Sequence, residues 1–215
     1  MDEKWEQHQR LEINYSHFVP DTTLLGPYHR GVLWVQGCCF SCEGCVAQSM
    51  QGAGGSYAAP EQLAEYFLRQ PGLEGLTISG GEPFLQAEAL GGMMESIRSR
   101  KDMGLIVYSG LYLEELQALA EKKSAAERFL SQIDLLIDGR YEKKLDDGRM
   151  AVGSSNQTVH LLTDRYRNCA DEYYQRNGRR TEITCVGNRL RLVGVPSAEA
   201  FTLWKNLTGA SGSVG

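Results

Sequence analysis

The stretch Gly31–Cys45 reads Gly-Val-Leu-Trp-Val-Gln-Gly-Cys-Cys-Phe-Ser-Cys-Glu-Gly-Cys. Its opening, Gly31–Gln36, is a short apolar run rich in β-formers that ends at Gly37, which predicts a buried strand. Cys38, Cys42 and Cys45 follow at once, with three and then two residues between them. A strand running straight into a loop of unusual residues is an order that recurs along the chain.

Gly75–Ser79 predicts a second strand, closed by Gly80-Gly81-Glu82-Pro83. Gly104–Tyr108 predicts a third, followed by Ser109-Gly110, and Ile133–Ile137 a fourth, followed by Asp138-Gly139-Arg140. Between them the sequence predicts helices. One opens at Pro60, carries Leu63, Ala64, Phe67 and Leu68 on one face, and stops at Pro71–Gly72. Others run from about Gln86 to Arg100 and from about Leu113 to Lys123. Such alternation implies an α/β fold with a parallel sheet of right-handed βαβ units. Ligands of parallel α/β sheets and barrels bind where the C-terminal ends of the strands meet their loops. Four consecutive strands with glycine-rich or polar signals at that same end therefore point to one shared site.

Outward from this centre, Thr158–Leu162 reads as a fifth strand. Glu182–Val186 and Arg189–Val193 read as a hairpin turning at Gly187–Asn188. Residues 165–180 are polar and rich in tyrosine and receive no assignment. The final seven residues, Gly209–Gly215, have the composition of a disordered tail. At 215 residues the chain suits one domain. Its expected parts are an N-terminal lead-in (1–30), a core with its extension (31–196) and a C-terminal segment (197–215).

The formal net charge is −5, with no long basic run, which argues against a grip on nucleic acid. The N-terminus is charged and mixed rather than signal-like, and no window has the length to cross a bilayer. A cytoplasmic protein is expected, with its thiols reduced. Its six cysteines then read as ligands or buried thiols rather than disulfides.

Three thiolates on one loop can reach three corners of an iron–sulfur cluster, leaving one iron open to a small molecule. Zinc normally takes four ligands, often in paired Cys-x₂-Cys units, and there is no second pair here. Spacing alone leaves a cluster, a zinc site and uncoordinated thiols all open. Cys39 is expected to point into the core. Gly80–Pro83, taken alone, is an ordinary turn. Ser109 suits a helix N-cap or a ribose hydroxyl. Asp138 and Arg140 suit a ligand carboxylate, a partner or a surface ion pair. Asn156 and Gln157 suit a turn or an adenosine contact. His160 reads as a strand-face residue, Trp5, Trp34 and Trp204 as packing residues, and Tyr173–Tyr174 with Arg179–Arg180 as a partner surface or a solvated face.

Taken together, Cys-x₃-Cys-x₂-Cys after the first strand and Ser79-Gly80-Gly81-Glu82-Pro83 after the second resemble the radical S-adenosylmethionine superfamily. Val35–Cys38, Ile106–Gly110, Ile137–Tyr141 and Gly153–Gln157 resemble the activating enzymes of anaerobic ribonucleotide reductase, within the glycyl-radical-enzyme activases. The likeness runs from about Glu12 to Pro196. It implies a partial (βα) barrel of parallel strands with a C-terminal hairpin, and a 4Fe-4S cluster held by Cys38, Cys42 and Cys45. S-adenosylmethionine would chelate the open iron beside Gly80, Gly81, Glu82, Pro83, Ser109, Asp138, Asn156 and Gln157. One electron would cleave it to methionine and a 5′-deoxyadenosyl radical. The implied partners are a glycyl radical enzyme, or another protein or peptide substrate, and a flavodoxin-like donor. Radical modification of a peptide or small metabolite is the alternative within the superfamily; an iron–sulfur electron-transfer protein is the alternative outside it. Gly44 stands before the last cysteine where many members carry an aromatic residue, a feature the reductase activases often share. Val46 stands where those activases often have an aromatic residue, so no stacking partner for an adenine is implied there.

Overall fold

A computed structural model describes residues 12–186 and 189–208. Seven strands form one sheet in the order β3-β1-β2-β4-β5-β6-β7. These are β1 (Ile13–Thr22), β2 (Arg30–Val35), β3 (Ser56–Ala58), β4 (Gly75–Gly80), β5 (Gly104–Ser109), β6 (Leu135–Asp138) and β7 (Thr158–Leu161). The four central strands, β2, β4, β5 and β6, are parallel. Each crossover between them contains helix: α1 (Pro60–Leu68), α2 (Ala87–Arg98), then α3 (Leu113–Ala120) with α4 (Ser124–Leu130).

Two of these helices, α1 and α3, begin where a side chain takes up a free N–H group. Pro60 opens α1, and Gln62 accepts from the Ala59 N–H at 3.0 Å. The carboxylate of Asp138 receives the Leu113 N–H at 2.7 Å at the head of α3. Alternate strand residues fill opposite faces of the sheet. Leu33, Val35, Leu76, Ile78, Leu105, Val107 and Leu136 pack against the helices. Val32 and Trp34, and farther along Ile106, Leu135 and Ile137, face the other way. That second face is covered by Met150–Val152 and by tyrosines of α5 (Ala170–Tyr174).

Four expectations change. β7 is antiparallel to β6, so the parallel strands form the centre of a mixed sheet with edges at β3 and β7. The cause is the connection: residues 139–157 carry no α-helical crossover, and a parallel return normally needs one. The segment expected as lead-in contributes β1, antiparallel to β2. The helix expected to run to Lys123 stops at Ala120, and a second begins at Ser124. The C-terminal segment holds an 11-residue helix, α6 (Ala198–Thr208). The hairpin of β8 (Glu182–Val186) and β9 (Arg189–Val193) is present as a separate two-stranded sheet. Its turn residues and the Gly209–Gly215 tail lie outside the described residues, as does Trp5. Among the described residues no helix is long and apolar enough to cross a membrane.

Candidate functional site

The cysteine loop leaves β2 and is tied shut at its base. The Gly37 N–H donates to the Met50 carbonyl at 2.8 Å and the Cys38 N–H to Gln51 at 3.1 Å. Gln36 reinforces the closure by donating to the carbonyls of Ser49 (3.2 Å) and Gly52 (2.9 Å). Alongside lies the turn after β4. Gly80 has φ +102°, and a Cβ on Gly81 would collide with the Gly37 carbonyl oxygen, so both glycines are required for this approach. Two backbone bonds hold the contact: the Gly81 N–H to Val35 and the Glu82 N–H to Gly37, both at 2.8 Å.

Cys38, Cys42 and Cys45 face a cavity of about 400 Å³ that Gly80, Gly81, Glu82, Ser109 and Gln157 also line. Pro83, Asp138 and Asn156 stand behind its wall. Pro83 starts a short 3-10 turn, Pro83–Gln86. Asp138 is buried and accepts from the Leu113 N–H, from the Thr158 N–H at 3.3 Å and from His160 Nε2 at 2.9 Å. His160 is thus a hydrogen-bonded strand residue, as its place in the sequence suggested. Asn156 donates to the Arg140 carbonyl at 2.8 Å. Gln157 donates to the Gly139 carbonyl at 2.8 Å, and its own oxygen receives the Gly153 N–H at 2.8 Å. This pair therefore shapes the 139–157 loop from within.

Glu82 is completely buried. Its carboxylate receives the Phe84 N–H at 3.0 Å, the Ser109 hydroxyl at 2.9 Å and the Gly110 N–H at 2.8 Å. Burial outweighs these three donors and pushes its carboxyl up to about 7. Ser109 accepts from the Leu111 N–H at 3.0 Å, so it joins the ends of β4 and β5 instead of capping α3. Arg140 lays its guanidinium 4.6 Å from the Phe40 ring centroid, beside the cavity it lines.

Burial pushes the Cys38 thiol up to about 12 and raises that of Cys45. Thiols in this setting need a cation beside them to ionise. Among the described residues no three His, Cys, Asp or Glu side chains gather round one point as a single metal ion requires. A cluster offers each thiolate its own iron, so this donor set fits a polynuclear centre.

Several cavity residues escaped the sequence reading. Arg179 is not on a solvated face: its side chain is 9% exposed and lines the cavity with Val195, Pro196 and Phe201. A signal for the last of these was present, since Ser197 precedes a helical spacing of Phe201 and Trp204 and does cap α6, accepting from the Ala200 N–H at 3.2 Å. Trp34 packs as expected but also faces the cavity. Cys39 is half-buried.

A strand-loop cysteine triad beside a glycine turn defines an iron–sulfur protein class. The family described as 4Fe-4S single cluster domain matches residues 24–160, and the chain belongs to that family. It is similar to the anaerobic ribonucleoside-triphosphate reductase-activating protein of Enterobacteria phage T4, with 30% identity over 161 residues, covering 71% of this chain and 96% of that protein. The proteins of the same name from Vibrio cholerae and Escherichia coli K12 are each 27% identical over 161 residues, covering 70% of this chain and 99% of theirs.

Proposed function

We propose that this chain is a radical S-adenosylmethionine oxidoreductase that installs a glycyl radical on an anaerobic ribonucleotide reductase in the cytoplasm. In this reading Cys38, Cys42 and Cys45 hold a 4Fe-4S cluster and leave one iron for S-adenosylmethionine. When bound, the cluster supplies the electron that cleaves this ligand to a 5′-deoxyadenosyl radical, which takes a hydrogen atom from the partner's glycine.

The observation that carries the reading is the shared cavity: three thiols and a Gly-Gly turn line one space. Gly80 and Gly81 bring bare backbone to the ligand, whose ammonium needs carbonyl acceptors. Glu82, poised near 7 by burial, is drawn toward its carboxylate form by a cation beside it. Ser109 holds that carboxylate in place. Trp34, Tyr108 and Leu25 give the cavity apolar surface that excludes water from the reacting groups. The names of the relatives support the reductase as partner. A flavodoxin-like protein is the proposed electron donor.

Anaerobic reconstitution with iron and sulfide, then reductant and S-adenosylmethionine, should yield deoxyadenosine, and Cys42→Ala should yield none. Adding the reductase should give a glycyl radical by electron paramagnetic resonance. Deoxyadenosine without that radical favours modification of a peptide or metabolite, a second reading supported by the cavity residues past the family's span. A reconstituted cluster that forms no deoxyadenosine leaves an electron-transfer protein.

A further inference from the structure

The matching family span ends at residue 160, and about three tenths of the chain lies outside its match to the phage relative. Yet residues well past that point line the cysteine cavity: Arg179, then Gly194–Ala198, then Phe201. They are fastened there. Arg179 donates from both terminal nitrogens to Asp146, at 2.9 and 2.6 Å, in the two-pronged geometry that makes guanidinium–carboxylate pairs specific. The same nitrogens reach the carbonyls of Pro196 at 3.1 Å and Gly153 at 2.9 Å. One side chain thus ties the hairpin's exit to two points of the 139–157 loop. Beyond it, Trp204 and Leu192 form a small buried cluster against which Val46, the neighbour of Cys45, is packed. The extension therefore stands against the cysteine loop on one side and the 139–157 loop on the other.

We propose that this extension is a size-selecting wall of the cavity, with Pro196 and Phe201 as specificity-determining residues and Arg179 as the positioning residue that holds them. The wall admits a slender, flexible segment such as an extended peptide and turns away wide, rigid molecules. The identity of the molecule acted on rests on the function proposed above; the selection by size does not.

The test uses the metal-free full chain and two thiol reagents, small iodoacetamide and bulky pyrene maleimide. Labelling of Cys38, Cys42 and Cys45 is followed by peptide mapping, with exposed Cys185 as the reference. In the wild type the bulky reagent should lag at the three loop cysteines relative to Cys185. Arg179→Gln and Phe201→Ala should each raise its rate there about fivefold or more while leaving the small reagent within about twofold. Equal acceleration of both reagents, or no acceleration of either, overturns the proposal. Phe201→Ala leaves the arginine latch intact and decides the matter if Arg179→Gln melts early. No S-adenosylmethionine, reductant or cluster enters this assay, so its failure is separate from failure of the deoxyadenosine assay.

Discussion

The two ends of the central strands solve opposite problems with similar residues. At the N-terminal end Arg30 is fully buried, and its five N–H donors meet Thr77, Pro27, Glu74, Leu76 and Tyr166. Glu74 also receives Tyr166 at 2.8 Å and Arg165 at 2.7 Å. Near the other end His17 is also buried, stacked 4.5 Å from Trp34, and its Nε2 has no hydrogen-bond partner among the described residues. Glycine serves both ends: a Cβ on Gly104 would collide with the Tyr166 hydroxyl, and one on Gly81 with the cysteine loop. The closed end uses the room glycine leaves to complete a polar network. The open end uses it to bring backbone to a cavity. A buried charge with every donor satisfied marks where this sheet is locked, while the Gly80–Gly81 end stays open to the cavity.

The sharpest break of that contrast is acid. Burial, then the nearby Arg191, hold His17 down at about 3, against 6.5 in its ordinary state. Below pH 6.5 the unfolded chain takes a proton that the folded one refuses, so stability is whole above 6.5 and falls as pH drops toward 3. At about 1.4 kcal/mol per pH unit across that interval, the loss is several kcal/mol. Urea midpoints of the metal-free protein should show it, and His17→Phe should flatten that limb. At the locked end, Glu74→Ala strands the Arg30 charge and should cost about 3–5 kcal/mol in the same titration. It should leave cluster uptake intact in whatever fraction stays folded. Gly81→Ala should cost less, about 1–3 kcal/mol, because the strain falls on a loop. Its reconstituted cluster absorbance should fall well out of proportion to that loss. Gly92 in α2 is the control: a Cβ there meets nothing within 4 Å. Gly92→Ala should therefore raise stability by about 0.5–1 kcal/mol and leave both ends untouched.

The parallel centre of the sheet was legible because each strand is an apolar run stopped by glycine. The cysteine triad and Gly80–Gly81 were legible because they follow those strands at one end. Direction was not: Thr158–Leu161 has the same composition either way, and only the helix-free link before it sets it antiparallel. β1 hid because Pro20 interrupts it and its burial follows no clean alternation. Residues 165–180 receive no assignment from sequence and Tyr173–Tyr174 read as a partner surface or a solvated face, yet Tyr166, Tyr173 and Tyr174 are buried against the sheet. The hydrogen-bond partners of Tyr166, Arg30 and Glu74, lie some ninety residues or more away in sequence, beyond the reach of any local pattern. Arg179 was misjudged for the same reason, since Asp146 and Gly153 become its neighbours only in the fold.

The knot at Gly37 has a consequence for what becomes of the protein in air. Small metal-binding domains commonly unravel when stripped, because the ion itself gathers their chain. Here Met50 and Gln51 already draw the loop's ends together, so the entropy of closure falls on the sheet and not on the guest. Oxygen that destroys the iron centre should leave behind a folded, colourless mould that refills without refolding.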